Sequence, residues 1–251
     1  MAQATANLIL HRGARLVEEN ELRGVKTPPP EGRWYPIPHI EVLERVRSTL
    51  DEAGFAISNQ QIALSANNAR FFGTLTLTSA VAENVHLAIG VRSSFDRTFP
   101  LACIGGNKTV VCDNLLFRSD LLSVKRKHSI NGALNFQNDI AGAIQKLGHF
   151  QIIEQERIAS MVNRELSDME ADSLILKAFE RGIVSAPYLP RIIREWREPQ
   201  FEEFKPRTAW SLISCFTTIL GERARTNPSQ YAIQTMRLNS FIDKSTALVP
   251  V

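Results

Sequence analysis

The spacing of hydrophobic residues changes near residue 128, and this change constrains the fold more than any other feature of the sequence. From residue 55 to residue 114, apolar and polar residues alternate, as expected of strands that bury one face. One face of the clearest strand carries Val85, Leu87, Ile89 and Val91. After residue 128 the apolar residues recur at helical spacing. We therefore predict an α+β fold, with an antiparallel sheet-rich N-terminal half and a helical C-terminal half.

Proline and glycine divide the chain into three regions. Residues 1–33 are predicted to be a poorly ordered N-terminal arm, because the run Pro28–Pro30 followed by Gly32 interrupts regular structure. Residues 34–128 form the predicted sheet-rich region. Residues 129–251 form the predicted helical region, which we expect to pack with the sheet as one continuous domain.

Turn and cap residues predict where individual elements begin and end. Gly54 is predicted to end a first helix, and Gly105-Gly106-Asn107 is predicted to form a hairpin turn between two strands. Residues 134–166 contain few helix breakers and predict one long helix. Further helix boundaries are predicted by the capping pair Ser167 and Glu170, by Gly182 and Gly221 at helix ends, and by Asn227-Pro228 before the last helix.

Composition excludes several classes of protein. Of the 251 residues, 44% are hydrophobic and 22% are charged, which is typical of a globular chain and not of a disordered one. Three scattered cysteines favour a reducing compartment over a disulfide framework. No apolar run approaches the roughly 20 residues that a membrane span requires. We therefore predict a cytoplasmic protein that does not contact a membrane.

The sequence contains no standard catalytic motif: it lacks a phosphate-binding loop, a GxSxG nucleophile elbow and an HExxH zinc motif. A metal site is one hypothesis, because imidazole and carboxylate ligands together suit zinc or manganese. Its ligands would be His86, Asp96, Asp113 and His128. The alternative is that these residues face solvent or form local hydrogen bonds. We assign no catalytic residue and expect no cofactor.

Basic residues supply the best candidates for a binding site. Because the net charge is only +3, local clustering of basic residues matters more for binding than the total charge of the chain. The densest cluster runs from Lys125 to His128, and the planar guanidinium groups of Arg92 and Arg97 suit phosphate. The alternative is a solvated junction and a polar turn. The predicted nucleic-acid-binding residues are Arg92, Arg97, Lys108, Arg118, Lys125, Arg126, Lys127 and His128.

Short blocks distributed from Trp34 onward carry a family resemblance. The blocks are WYPIPHIEVLERVRSTLDEAGF, GVRSSFDRTFPLACIGG, VVCDNLLF, KRKH, and a late tryptophan helix followed by an arginine–leucine helix around Arg237. Together they resemble the DUF932 domain family of bacterial and phage proteins, whose function is unknown. The resemblance extends over most of the chain. It implies a phage, prophage or plasmid setting, and it implies no known active site.

Three functions follow as hypotheses. The first is a non-enzymatic protein that binds single-stranded nucleic acid through the basic residues, similar to annealing proteins of mobile elements. The second is an interaction protein that modulates a host system such as a defence complex, with Leu8, Ile9 and Leu10 docking on the partner or on a neighbouring subunit. The third is a metal-dependent phosphodiesterase built on the histidine–aspartate set. We also predict a homo-oligomer in which residues 134–166 contribute to the subunit contact; the alternative is that the C-terminal helices cover the second apolar face of this segment.

Overall fold

Seven strands form one antiparallel sheet in the part of the chain that the structure describes. The structure, a computed structural model, describes residues 14–109, 114–117, 123–224 and 228–246. The strands are β1 (Arg15–Leu16), β2 (Ile57–Leu64), β3 (Arg70–Ala82), β4 (Val85–Ser94), β5 (Leu101–Thr109), β6 (Asn114–Phe117) and β7 (Ser123–Arg126). They lie in the order β1-β2-β3-β4-β5-β6. β7 and β6 pair with successive halves of the same edge of β5.

Two helices lie between β1 and β2 in sequence, and the other helices follow the last strand. Within the described residues they are α1 (Glu19–Arg23), α2 (His39–Glu52), α3 (Ile130–Ile144), α4 (Leu147–Asn163), α5 (Asp168–Glu180), α6 (Leu189–Arg197), α7 (Ala209–Ala224) and α8 (Pro228–Thr246). Six of these eight helices come after the last strand. The predicted α+β class, with a sheet-rich N-terminal half and a helical C-terminal half, is therefore confirmed.

The two faces of the sheet have different surroundings. On the first face, residues such as Ile89 and Cys103 belong to an apolar cluster that also contains buried side chains of α2, α3 and α4. The second face carries Phe72, Ala88 and Ile104 at the alternate positions, and none of these belongs to an apolar cluster. The alternation of residue types in the sequence therefore separates one face that belongs to the apolar core from a second face that does not.

Two kinds of contact connect the sheet to the later helices. A second apolar cluster lies among α5, α6, α7 and α8, and Trp210 on α7 packs against both clusters. A buried polar network adds to this contact. The side-chain amide of Asn107 on β5 donates to Glu154 on α4 at 2.5 Å. Arg157 then bonds Glu154 and, on α8, Asp243, each at 3.0 Å. Charge-assisted hydrogen bonds thus hold the sheet and the last helix to α4.

Residues 14–33 differ from the poorly ordered arm predicted for residues 1–33. β1 pairs with β2, and α1 follows it, with Leu22 fully buried in the first apolar cluster. Arg23 on α1 also bonds Glu44 on α2 at 2.7 Å. The composition around the prolines gave no sign of these contacts, because they are made with residues distant in sequence. Residues 1–13 lie outside the described part of the chain.

The predicted hairpin turn at Gly105-Gly106-Asn107 is wrong. These residues lie inside β5, where the two glycines pair with Ile89 and Ala88 of β4. Glycine marks turns, but inside a strand it also permits a close approach of neighbouring backbone or side chains. The asparagine is held by its hydrogen bond to Glu154. The connection between β5 and β6 falls at residues 110–113, which lie outside the described residues.

The prediction of one continuous helix over residues 134–166 is wrong, because α3 and α4 are separate helices. At the break, the backbone N–H of Lys146 donates to the carbonyl oxygen of Ala143 at 3.1 Å, which is the tighter bonding pattern of a helix end. Gly142 and Gly148 flank the break. Each glycine weakens a helix by about 1 kcal/mol relative to alanine, so the break falls where helix propensity is low.

Most predicted helix ends are confirmed. Gly54 and Gly182 lie just beyond α2 and α5 with φ values of +80° and +63°, the left-handed conformation typical of the residue after a helix. The predicted capping box forms at the start of α5, and the predicted proline opens α8. Gly221 is an exception, because α7 continues through it to Ala224.

Candidate nucleic-acid interface

The sheet brings most of the predicted basic residues to one of its ends. β4 and β7 both run antiparallel to β5, so both finish at the end where β5 begins. This end carries Arg92, Arg97, Lys125, Arg126, Lys127 and His128. Lys108 lies near the other end of β5, where it is buried opposite His86. Arg118 lies outside the described residues.

Strand register aligns four residues in one line across the sheet. Phe72 on β3 pairs with Arg92 on β4, Arg92 pairs with Ala102 on β5, and Ala102 pairs with Lys125 on β7. We call these residues the cross-strand row. Directly paired residues point to the same face, so the row lies on the second face of the sheet. With strands about 4.8 Å apart, the Cα atoms of Arg92 and Lys125 are roughly 10 Å apart.

Arg92 is the most distinctive member of the row. Its guanidinium carbon lies 5.1 Å from the centroid of the Phe99 ring, which in turn lies 5.3 Å from the Phe72 ring. Arg92 is half-buried, and this burial lowers its pKa, although an arginine keeps its charge at physiological pH. Neither Arg92 nor the exposed Lys125 has a carboxylate partner among the described residues. The row therefore offers two positive charges beside a pair of aromatic rings.

Arg97 and Arg126 lie near the row but are already paired. Arg97 forms an ion pair with Glu31 and lies over the Trp34 ring, 4.5 Å from its centroid. Arg126 forms an ion pair with Asp139 on α3, in which one of its two hydrogen bonds measures 2.9 Å. Binding of a phosphate by either arginine would therefore compete with an existing carboxylate. The sequence analysis predicted both arginines as nucleic-acid-binding residues, and in the structure each has a carboxylate partner.

His128 belongs to the interior and not to a phosphate-binding surface. It is buried, both its ring nitrogens lack a hydrogen-bond partner, and burial lowers its pKa to about 4. His128 lies close enough to His39 for the two rings to interact electrostatically. A neutral buried imidazole contributes no charge to the binding of phosphate, so His128 is removed from the predicted site.

His39, at the start of α2, shares this environment. Its ring stacks on Phe95 with centroids 3.8 Å apart. Burial, assisted by His128, lowers the pKa of His39 to about 3, and the nearby backbone carbonyls of Asn68 and Ala69 oppose that shift. Neither carbonyl accepts a hydrogen bond of normal geometry from the ring. The two histidines therefore form a buried, neutral pair beneath the basic end of the sheet.

The hypothetical metal ligands do not come together. His86 and Asp96 lie at opposite ends of β4, ten residues apart, which corresponds to roughly 30 Å of extended strand. Asp96 instead accepts a hydrogen bond from Arg70 at 2.5 Å. Asp113 lies outside the described residues, and His128 is buried. No group of three histidine, cysteine, aspartate or glutamate residues suited to a metal occurs in the described parts of the chain.

Sequence reasoning missed the aromatic members of the candidate site. Neither Phe72 nor Phe99 was among the predicted nucleic-acid-binding residues. The signal that would have found Phe72 is its neighbour Phe71, which is fully buried in the first apolar cluster. Since adjacent strand residues point to opposite faces, Phe72 has to lie on the second face. Its alignment with Arg92 depends on strand register, which the sequence did not specify.

Comparisons with known proteins give this chain no relative. Neither protein-family models, nor curated proteins, nor solved structures yielded a match. Within the described residues, every helix is too short or too polar to cross a bilayer. The docking residues Leu8, Ile9 and Leu10 of the host-interaction hypothesis lie outside the described part of the chain. The interpretation of function therefore rests on the geometry of the cross-strand row.

Proposed function

We propose that this chain is a non-enzymatic protein that binds single-stranded nucleic acid along the cross-strand row. The observation that supports the proposal is the environment of Arg92, which is half-buried, lies over Phe99 and has no carboxylate partner among the described residues. The proposed setting is the cytoplasm of a cell that carries a phage or plasmid. The family resemblance supports that setting, and so do Cys103 and Cys215, which are unpaired in the described part of the chain.

The row supplies two complementary contacts. Arg92 presents a planar group that can bind a phosphate through two hydrogen bonds, and Lys125 provides a second charge roughly 10 Å away. Phe72 and Phe99 provide apolar ring surface on which an unpaired base can stack. Backbone phosphates and base faces are common to all sequences. The proposed binding is therefore insensitive to base sequence and sensitive to salt.

Single strands suit this surface better than duplexes do. In a duplex the base faces are stacked on one another, so an aromatic side chain can reach them only by unstacking a step at a cost of a few kcal/mol. A single strand exposes its bases without that cost. Contacts from Phe72 and Phe99 would be lost with a duplex, and only the phosphate contacts of Arg92 and Lys125 would remain. We expect weaker binding of duplex DNA at the same salt concentration.

A fluorescence-anisotropy titration with a labelled single-stranded oligonucleotide, repeated at several salt concentrations, tests the proposal. Lys125→Glu and Arg92→Gln should weaken binding, and each should reduce the slope of log affinity against log salt by about one. Lys146→Glu is the matched control. Lys146 is an exposed lysine just beyond the C-terminal end of α3, and the fifteen residues of this helix separate it in sequence from the basic cluster at Lys125. Phe72→Ala should weaken binding without changing the salt slope.

Two results would count against the proposal. The first is an absence of binding at low salt to single-stranded DNA and to single-stranded RNA. The second is equal weakening by Lys125→Glu and Lys146→Glu, because this would show a general charge effect and no defined site. Circular dichroism of each variant confirms that the fold is intact. A duplex competitor that displaces the single strand with equal efficiency would overturn the assignment to single strands.

A further inference from the structure

A second group of aromatic and basic side chains lies near the cross-strand row, in a turn that precedes α2. The turn runs from Glu31 to Trp34, whose backbones exchange two hydrogen bonds of 3.0 and 2.9 Å. It closes tightly because Gly32 adopts a φ of +57°. The backbone N–H of Tyr35 donates to the carbonyl oxygen of His128 at 3.0 Å. This bond attaches the turn to the segment after β7, at the end of the sheet that carries the row.

The loop between β4 and β5 connects this turn to the row. Arg97 of the loop lies over the Trp34 ring. Phe99, two residues later, contacts Arg92 of the row. Two residues of extended chain span no more than about 7 Å, so the backbones of Arg97 and Phe99 lie within that distance of each other. One bound strand can therefore contact both the row and the turn.

Side-chain hydrogen bonds fix the loop in the conformation that presents Arg97. The hydroxyl group of Ser94 donates to the carbonyl oxygen of Phe99 at 2.8 Å. Asp96 accepts a hydrogen bond of 2.6 Å from the hydroxyl group of Thr98. Arg97 itself has a φ of +60°, a left-handed conformation that is strained for a residue other than glycine. Residues that are held in strained conformations by their surroundings cluster at functional sites.

The turn has the same chemistry as the cross-strand row. Tyr35 is 42% exposed, and the exposed side chain of Arg33 has no ion-pair partner among the described residues. The side chain of Arg97, stacked on Trp34, is 52% exposed. Exposed aromatic rings and guanidinium planes are the surfaces on which unpaired bases stack. We call Arg33, Trp34, Tyr35 and Arg97 the turn patch.

One carboxylate, that of Glu31, is already bound to the turn patch. Glu31 forms an ion pair with Arg97, and its own side chain is 76% exposed. Within the described residues, no second side chain or backbone group bonds this carboxylate. An ion pair as exposed as this contributes little to stability, so a phosphate can displace the carboxylate without disturbing the fold. Glu31 thus occupies the position beside Arg97 that a backbone phosphate would take.

We propose that the turn patch is a second subsite for single-stranded nucleic acid and that Glu31 blocks its phosphate position until a strand binds. This inference rests on the proposed function of the cross-strand row. It adds a base contact at Tyr35 and a phosphate contact at Arg97, which becomes available in exchange for Glu31. The bound strand runs from the phenylalanine pair of the row, along the loop between β4 and β5, to the turn.

The anisotropy titration with a single-stranded oligonucleotide tests the block by Glu31. Glu31→Gln should raise the affinity about fivefold, because Arg97 is then free to bind a phosphate. The gain should be absent from the double variant Glu31→Gln/Arg97→Gln. Glu202→Gln is the matched control, because it removes the same charge from another exposed ion pair, the one with Lys205. This control should change the affinity by less than about twofold.

A second substitution tests the base contact. Tyr35→Ala should lower the affinity about tenfold and leave the salt slope unchanged, because it removes a stacking surface and no charge. Its control is Phe179→Ala, a change at an exposed aromatic residue of α5 that should leave the affinity as in the wild type. Circular dichroism of each variant confirms that the fold is intact.

The outcomes separate this inference from the proposed function. A wild-type affinity in Glu31→Gln, or a gain that persists without Arg97, overturns the block by Glu31. A wild-type affinity in Tyr35→Ala overturns the base contact. In either case the cross-strand row stands if Arg92→Gln still weakens binding. Binding by Glu31→Gln and not by the wild type would support a blocked subsite. An absence of binding by both proteins would overturn both proposals.

Discussion

The two faces of the sheet are built from alternate residues of the same strands and have different roles. The first face carries side chains such as Leu75 and Ile89, which are fully buried under α2, α3 and α4. The second face carries Thr74 and Ala88 at the neighbouring positions, with the cross-strand row at one end. Thr74 and Ala88 are also buried, and Arg92 is half-buried among these short side chains. One alternating pattern thus produces both the core and the candidate binding surface.

The comparison also shows where charge is used for structure and where it is available for binding. Against the first face, the fully buried Glu154 and the partly buried Arg157 of α4 are bonded to each other and to groups on β5 and α8. On the second face, Arg92 and Lys125 lack carboxylate partners within the described residues. A charged group whose hydrogen bonds are all made within the protein stabilises the fold. A charged group that has an aromatic neighbour but no counterion can instead bind an oppositely charged group of a ligand.

The largest effect on stability is expected from the buried network of the first face. Arg157→Met removes the guanidinium group that neutralises the fully buried Glu154, so we expect the free energy of unfolding to fall by about 3–5 kcal/mol. Arg164→Met is the control, because its ion pair with Glu170 is largely exposed and should contribute less than about 1 kcal/mol. Urea denaturation of both variants measures the difference. Equal losses would contradict the assigned role of the network.

Substitutions at two adjacent residues of β3 compare the contributions of the two faces to stability directly. Leu75→Ala removes a fully buried side chain from the first apolar cluster and should cost about 3 kcal/mol of unfolding free energy. Thr74→Ala, one residue earlier and on the second face, should cost about 1 kcal/mol, because it removes a smaller group. Urea denaturation gives both values. A larger loss for Thr74→Ala would show that the second face is packed as tightly as the first.

The buried histidine pair should make stability depend on pH. The ordinary pKa of histidine is about 6.5, whereas those of His39 and His128 are lowered to about 3 and about 4, so unfolding takes up protons below about pH 6.5. Above that pH, the contribution of these two histidines to the free energy of unfolding should not change with pH. It should then decrease by as much as about 1.4 kcal/mol per pH unit for each histidine as the pH falls toward the folded-state pKa values.

Removing the ring nitrogens of one histidine tests this dependence. His39→Phe keeps an aromatic ring against Phe95 and should reduce the loss of stability measured between about pH 7 and about pH 4. The control is His149→Phe, a change at an exposed position of α4 that should leave the pH dependence as in the wild type. Urea denaturation across this pH range measures both. An unchanged pH dependence in His39→Phe would contradict burial as the cause of the lowered pKa.

The smallest effect on stability is expected at the cross-strand row. Arg92→Gln removes a charge that has no carboxylate partner among the described residues, so the unfolding free energy should change by no more than about 0.5 kcal/mol. The same variant should still show the loss of nucleic-acid affinity described above. Urea denaturation and anisotropy together separate the two effects. A stability loss as large as that of Leu75→Ala would indicate that Arg92 is a structural residue.

Local sequence patterns predicted elements better than they predicted connections. Gly54 and Gly182 were identified correctly as residues that follow helices, because a left-handed backbone position selects glycine on local grounds alone. Gly105 and Gly106 were assigned to a turn on the same grounds and lie inside β5. The difference is that strand interiors also accept glycine when neighbouring strands require it, and that requirement comes from pairing with distant residues.

The candidate site was predicted in part for the same reason. Arg92 and Lys125 were identified from residue type and position, but the sequence could not show that Ala102 joins them in one line across three strands. His128 was included because it follows three basic residues in sequence. Its burial beside His39 results from the packing of the starts of α2 and α3, which no local pattern encodes.

The sequence by itself determined the fold class, the alternation that divides each strand into two faces, and the cap residues of several helices. These features depend on side-chain chemistry within a few residues, where the periods of two and 3.6 residues apply. Only the tertiary structure decided which strands became neighbours, which charges found carboxylate partners, and which helix faces remained exposed. Those outcomes depend on contacts between residues far apart in the chain.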